Sequence, residues 1–244
     1  MRYLVDPRIA EHGWLGFYLL DGQIQNNGQI SPAFYFAFLA IAILAVSIIA
    51  YLLGSINSAI LISKNMYGFD VRDYGSGNAG MTNMFRSFGK KAGFLTLAGD
   101  VAKALAAVFI GFAVMGTPGQ YAAGFFCLLG HAFPVFHRFK GGKGVIVSAI
   151  TILLIDPLVF LTLVVVFGLM FLATQIISAS SITAAFFYPL VVYAFNLQAP
   201  SPIYLIFSFC IAFFVIAMHK ENIHRLLNKT EKKFTIGKGD KNKK

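Results

Sequence analysis

The sequence predicts an all-α integral membrane protein of about seven transmembrane helices, with the N-terminus outside and the C-terminus in the cytoplasm. Three observations carry this. First, 57% of the 244 residues are hydrophobic and only 12% are charged, with a mean hydropathy of +0.71. A soluble domain carries about 25% charge, so too little polar side chain is present to cover a water-facing surface. Second, long apolar runs alternate with short polar breaks. Third, the basic residues collect on alternate breaks. An ordinary cytosolic globule, a disordered regulator and a disulfide scaffold are all excluded.

The elements follow in order. Residues 1–32 form a polar N-terminal extension without the basic-then-apolar order of a signal peptide. Ala33 to Ser63 is the first apolar run, interrupted only at Gly54-Ser55-Ile56-Asn57-Ser58, and exceeds the ~20 residues a span needs. Lys64 to Lys91 is a polar loop. Ala92 to Met115 and Tyr121 to Phe136 are two further spans joined by the turn Thr117-Pro118-Gly119. His137 to Lys143 is a second basic loop. Val145 to Ile155 is a short span broken by Asp156-Pro157, because proline lacks an N–H and restricts its predecessor. Leu158–Ile176 and Ile182–Phe195 follow, separated by Ser178-Ala179-Ser180-Ser181, and Ile203–Met218 is the last span. Residues 33–218 thus make a membrane domain, and 219–244 a basic C-terminal segment.

The formal charge of +10 suggests nucleic acid until its placement is read. The segments 64–91, 137–143, 177–181 and 219–244 hold five, three, no and nine Lys/Arg, whereas the intervening turns hold none and the N-terminal extension holds two. By the positive-inside rule the former segments face the cytoplasm. A basic tail after a last span is a solvated segment drawn to anionic lipid, so no nucleic-acid partner is expected. Cys127 and Cys210 lie in apolar runs and read as packed or lipid-facing thiols. Asp100 and Lys103, three apart inside a span, read as an ion pair bracing the bundle.

Three polar clusters remain, all on the basic side. The first is Arg72-Asp73-Tyr74-Gly75-Ser76-Gly77-Asn78-Ala79-Gly80-Met81-Thr82-Asn83-Met84-Phe85-Arg86. Close glycines let backbone N–H groups converge on an anion, and Arg86 adds a planar fork suited to phosphate. A merely flexible loop would need Gly and Ser, but not this density of Asn, Thr and Arg. The second runs from Gly130-His131 to Lys140-Gly141-Gly142-Lys143-Gly144, just before a helix start, where unpaired N–H groups attract anions. It lacks the spacing of a Walker A loop. A topogenic loop would explain its charges but not its glycines. The third, His219-Lys220-Glu221-Asn222-Ile223-His224-Arg225, puts His219 and Asn222 on one helical face and Glu221 away from both. No acid is placed to orient the His219 ring. His219 and His224 are too far apart around the helix for a zinc pair, and no metal or other cofactor is called for.

Anion-binding clusters beside a bilayer suggest an enzyme that joins a phosphorylated small molecule to a lipid. There is no Gly-x-Ser-x-Gly elbow. No histidine has the spacing of a His-x4-Asp relay, and no carboxylate-rich metal motif occurs. A transporter or scramblase of a phosphorylated solute is the alternative, but such sites usually lie near the bilayer midplane and within repeated halves, and no repeat is evident.

Taken together, Gly75-Ser76-Gly77-Asn78-x-Gly80-x-Thr82-Asn83-x-x-Arg86, then Gly130-His131-x-Phe133-Pro134-Val135-Phe136-x-x-Phe139-Lys140-Gly141-Gly142-Lys143-Gly144-Val145, then His219-x-x-Asn222-Ile223 resemble the bacterial acyl-phosphate:glycerol-3-phosphate acyltransferase family. The resemblance covers about residues 35–235. It implies a seven-span enzyme of the bacterial cell membrane, active on the cytoplasmic side, that makes lysophosphatidic acid from a fatty acyl phosphate and glycerol 3-phosphate. It implies no cofactor, membrane lipid as surroundings, and functional coupling to an enzyme that produces acyl phosphate. Ser76, Arg86, Lys143, His219 and Asn222 would hold glycerol 3-phosphate and orient its hydroxyl. Gly75, Gly77, Asn78, Gly80, Thr82, Asn83, Lys140, Gly141, Gly142 and Gly144 would line the substrate site, the glycines and Lys140 cradling the acyl phosphate head. Met81, Asn57 and Ile146-Val147 depart from the family's usual Ala, Pro and Ala-Thr, and none removes a polar group from the three clusters.

Overall fold

The computed structural model describes residues 13–16, 32–197 and 201–235, and every regular element among them is helical. Most of the N-terminal extension therefore lies outside the described residues. Its stretch 13–16 sets Trp14 edge-on to Phe109, 6.3 Å between ring centres. Helix α1 (Pro32–Ser55) has no acidic or basic residue in its terminal turns and is apolar on every side, as a helix in contact with lipid can be. It ends where Asn57 caps α2 (Ser58–Tyr67), its Oδ1 accepting from the Ile60 N–H at 3.0 Å. The expected single run over 33–63 is therefore two helices. Asn57 Nδ2 also donates to the Ala79 carbonyl at 3.3 Å, tying the break to the glycine-rich loop. A proline there would have no such donor.

Helix α3 (Met81–Ala132) has three limbs, because Gly89 (φ 84°) and Gly116 (φ 63°) are not helical. Limbs 90–115 and 117–132 fold back on one another so closely that a Cβ on Gly111 would stand 2.2 Å from the Gly119 carbonyl oxygen. The expected turn at 117–119 thus begins at Gly116, and Pro118 opens the returning limb, where its missing N–H is harmless. The same limb packs on α1. A Cβ on Gly130 would fall 2.1 Å from the Tyr51 carbonyl oxygen, and one on Gly54 2.1 Å from that of Cys127. Cys127 is buried and Cys210 exposed.

After a 3-10 turn (Val135–His137), α4 (Val145–Ile155) begins behind Gly144 (φ 78°). Asp156 then caps α5 (Pro157–Thr174), accepting from Leu158 N–H and Val159 N–H at 3.1 and 3.2 Å. The next break falls at Gln175-Ile176, not at 178–181. The serines sit in the first turns of α6 (Ile177–Phe195), where Ser180 and Ser181 hydroxyls donate to the Ile176 and Ile177 carbonyls. Back-bonding of this kind removes the polar cost that had suggested a loop. Helix α7 (Pro202–Met218) bends by 61° at His219 into α8 (Lys220–Leu227).

Among the described residues, four helices are long and apolar enough to cross a membrane, or five if α7 and α8 form one span. The largest core cluster joins Val46 and Ala50 of α1 to Ala104, Ala123 and Leu128 of α3 and to Val159, Tyr188 and Ile211. The expected ion pair, Asp100 to Lys103 at 3.0 Å, is formed within α3, both residues buried.

These contacts predict opposite outcomes for two glycines. Gly130→Val must move backbone at the α1–α3 crossing and should lower stability by roughly 1–3 kcal/mol. Gly168→Ala, in α5 with nothing within 4 Å of a Cβ, should be neutral or stabilising by up to ~1 kcal/mol. Thermal unfolding in detergent measures both.

Candidate active site

One cavity of about 870 Å³ opens at the end of the bundle where α1, α3, α5 and α7 finish and α4 and α6 begin. Its mouth is polar and its inner wall apolar. Ser76, Thr82 and Arg86 come from the first cluster, Lys143 from the second, and His219 and Asn222 from the third. All five residues expected to act on substrate therefore face one space, although 146 positions separate Ser76 from Asn222 in the chain. The apolar wall descends along α4 to α7 through Ile152, Leu163, Ala185 and Val215 to the buried ring of Tyr188.

The first cluster folds around Asn83. Its Oδ1 accepts from the Ser76 N–H at 3.0 Å, while its Nδ2 donates to the carbonyls of Val71, Tyr74 and Asn78 at 2.9–3.1 Å. Gly75 (φ 61°) passes so near that a Cβ would stand 2.2 Å from Asn83 Oδ1. Asn83 thus holds the loop that presents Ser76, Asn78, Gly80 and Thr82, which all line the cavity as Gly75 does. Gly77 (φ 72°) makes the turn behind them and is not in the wall. Arg72 fastens this loop to the next, since its Nη1 donates to the carbonyls of His137 at 2.8 Å and Lys140 at 3.2 Å. Asp70 pairs with the same guanidinium at 2.8 Å.

In the second cluster Lys143 and Gly144 line the cavity, and Lys140, Gly141 and Gly142 do not. The N–H groups of Gly141 and Gly142 are already given to the Ala132 and His131 carbonyls at 3.0 and 3.1 Å. These glycines serve close approach: a Cβ on Gly141 would lie 2.0 Å from the His131 carbonyl oxygen. Lys140 is exposed.

An acid missed in the sequence organises the third cluster. Glu231 follows α8 and returns to the site. Its Oε1 accepts from Asn222 Nδ2 and Ser178 Oγ, each at 2.7 Å, and its Oε2 binds Arg225 Nε. Burial raises its pKa, but these three donors together hold it below the usual carboxylate value. Asn222 Oδ1 is thereby turned to accept from Lys143 Nζ. The signal was faint: one acid among Lys229, Lys232 and Lys233. The chain beyond Glu231 lies over Arg86, whose Nη2 donates to the Lys232 and Lys233 carbonyls at 3.0 and 3.3 Å. Arg86 Nε is buried without a partner among the described residues.

His219 has its ring fixed by backbone, as Nδ1 donates to the Val215 carbonyl at 2.7 Å. Burial and the nearby Lys143 charge lower its pKa to about 4 against the Val215 bond that raises it. The ring is therefore neutral at physiological pH, with an unprotonated Nε2. Burial, then the Arg225 charge, likewise lowers Lys143 to about 8.

Comparison with known proteins decides the family. The family model described as Glycerol-3-phosphate acyltransferase matches residues 44–229. The chain belongs to the glycerol-3-phosphate acyltransferase family. It is 41% identical over 186 residues to the glycerol-3-phosphate acyltransferase of Bacillus subtilis (strain 168), covering 76% of this chain and 94% of that one. It is 40% identical over 196 residues to a glycerol-3-phosphate acyltransferase 2 of Bacillus cereus, covering 80% and 96%. Among solved structures it resembles PlsY (YgiH), an integral membrane glycerol 3-phosphate acyltransferase. The glycerol 3-phosphate form aligns with a TM-score of 0.70 at 36% identity, over 79% of this chain and 96% of that one. The lysophosphatidic acid form aligns at 0.67 and 35% identity, over 79% and 95%.

For this family member the charge at the mouth predicts a pH dependence of anion binding. Lys143 is cationic below about pH 8 and neutral above it. Thermal stabilisation by sulfate, whose charge is constant over this range, should fall as pH rises through 8. Lys143→Arg should keep it to higher pH, because guanidinium does not titrate there.

Proposed function

We infer that this protein transfers a fatty acyl group from acyl phosphate to the 1-hydroxyl of glycerol 3-phosphate, yielding lysophosphatidic acid and inorganic phosphate. The observation that carries the reading is a single cavity with a cationic mouth and an apolar wall, in a chain of this family. The mouth suits a phosphorylated small molecule and the wall a fatty chain. A transporter reading gains no support, since the Arg86, Lys143 and Arg225 cations gather at one end of the bundle. An in vitro assay of phosphate release from acyl phosphate, dependent on glycerol 3-phosphate, tests the reading.

Arg86 and Lys143 would bind the glycerol phosphate group, with the unpartnered Arg86 Nε as a ready donor. Ser76 and Asn222 would add hydrogen bonds. His219 Nε2 would accept from the 1-hydroxyl and aim its oxygen at the acyl carbonyl carbon. As that oxygen bonds to carbon, the bond from carbon to the phosphate oxygen breaks and phosphate leaves. The departing phosphate grows more basic, and the hydroxyl proton turns from its bond to His219 Nε2 onto a phosphate oxygen, which suits it better than an imidazole held near 4. Gly75, Asn78, Gly80, Thr82 and Gly144 would shape the acyl phosphate pocket around backbone N–H groups, while Asn83, Gly77, Gly141, Gly142 and Lys140 would act from behind it. Positioning and fixed charge supply the acceleration, because a mixed anhydride is already activated.

The membrane frame completes the proposal. Counting the limbs of α3 on either side of Gly116 separately, α1, those two limbs, α4, α5, α6 and α7 make seven crossings. The positive-inside bias supports a cavity mouth that opens to the cytoplasm of a bacterial cell, where water-soluble glycerol 3-phosphate would reach it. Residues 33–218 would form the membrane domain, and 219–235 would close the site. A soluble or peripheral enzyme making acyl phosphate would be the supplying partner.

Two outcomes check these readings. His219→Gln retains a hydrogen-bonding side chain without a usable base, so turnover at saturating substrates should persist within about tenfold of wild type, the scale of one weakened hydrogen bond. Loss of turnover with unchanged glycerol 3-phosphate binding would make His219 the general base. Cysteine at the exposed Pro118 should label with an impermeant maleimide from outside intact cells, and cysteine at the exposed Lys229 only after lysis.

A further inference from the structure

The Asp100–Lys103 pair has a third member. His131 ends the returning limb of α3 and is 4% exposed. Its Nδ1 lies 2.8 Å from Lys103 Nζ and 3.6 Å from Asp100 Oδ1. Lys103 Nζ also reaches the Gly54 carbonyl at 3.1 Å, the Ile56 carbonyl at 2.9 Å and Asp100 Oδ1 at 3.0 Å. Two carbonyls and a carboxylate can only accept, so Nζ turns its three N–H outward and offers no lone pair, with one N–H shared between two of its four neighbours. A proton on His131 Nδ1 would meet no acceptor at 2.8 Å, so Nδ1 is the unprotonated nitrogen and the ring proton sits on Nε2.

That Nε2–H has no hydrogen-bond partner among the described residues, and His131 lines the cavity together with Asp100. Gly142 keeps the nitrogen uncovered, for a Cβ there would stand 2.2 Å from it. Two loop hydrogen bonds, from Gly141 and Gly142 to the Ala132 and His131 carbonyls, lace the loop to the turn that carries the ring. His131 also neighbours Gly144, a Cβ on which would be 4.0 Å from its Cδ2. Gly144 begins α4, whose Val145, Ile146 and Ile152 form part of the apolar wall. The donor therefore stands where polar mouth meets apolar wall, the place for the head of a substrate with a fatty tail.

We propose that His131 is a substrate-binding residue whose Nε2–H donates to a phosphoryl oxygen of the acyl phosphate, with Lys103 and Asp100 as positioning residues that fix its tautomer. This rests on the acyltransferase reading above. A neutral donor adds a directed bond without adding charge to the cationic mouth, and its buried setting holds it in place before substrate arrives.

The test compares two substitutions. His131→Asn places its amide near Nδ1, keeping an acceptor for Lys103 but losing the donor into the cavity. His131→Gln places an amide nitrogen near Nε2. Binding of a non-hydrolysable acyl phosphonate and KM for acyl phosphate should both weaken in His131→Asn by roughly 10–100-fold, the scale of one hydrogen bond to a charged group. His131→Gln should recover most of this, and sulfate stabilisation and glycerol 3-phosphate binding should be unchanged in both. Wild-type phosphonate affinity in His131→Asn, equal defects in both variants, or loss of sulfate stabilisation in His131→Asn would each overturn the proposal. Failure of the wild type to release phosphate would instead overturn the acyltransferase reading.

Discussion

A buried ammonium holds the functional end of this bundle together. Lys103 lies in the middle of α3, 6% exposed, and bonds at once to Asp100, to His131 and to the carbonyls of Gly54 and Ile56. Those carbonyls belong to the break between α1 and α2, which no helical N–H can satisfy. In a membrane an unpaired carbonyl is costly, and so is an unpaired charge. The arrangement cancels one cost against the other. It also fixes the outgoing and returning limbs of α3 to the end of α1. Ser58 joins the group by donating to Asp100 Oδ1 at 3.1 Å.

The loops are rigid for a related reason. Their polar groups are largely spent on each other. Asn83 gathers four backbone partners, Arg72 joins the first loop to the second, and Gly141 and Gly142 bond to the end of α3. Among the described residues, what is left unspent faces the cavity: the Ser76 hydroxyl, Arg86 Nε, His219 Nε2 and the Lys143 N–H groups not given to Asn222. Glu231 orients Asn222 and Arg225 from behind. A site built this way presents donors and charge before substrate binds, so little reorganisation is needed at reaction.

The comparison between sequence and structure turns on range. Helix existence was legible because lipid demands apolar side chains all round, and the Asp156-Pro157 break because its capping is local. The break read from polarity at 54–58 holds, but the one at 178–181 was misplaced. The serines at 178–181 looked like a loop but satisfy themselves inside α6, while the true break needed only the left-handed Gln175 (φ 60°). Ser76, Arg86, Lys143, His219 and Asn222, singled out as motif residues, all line one cavity. Lys140, Gly141 and Gly142 do not, because spacing does not say which N–H groups are already taken.

By itself the sequence determined that the chain lives in a bilayer, where its breaks cluster, and which family its three motifs resemble. These follow from composition and from short-range pattern, which survive without coordinates. Only the tertiary structure decided that Glu231 reaches Asn222, that Lys103 sets the His131 tautomer, and that the tail after α8 lies on Arg86. Each joins residues from 9 to 146 positions apart, or 28 in the case of Lys103 and His131. Hydrogen bonds act over about 3 Å, so which distant groups come within that reach depends on how the helices pack.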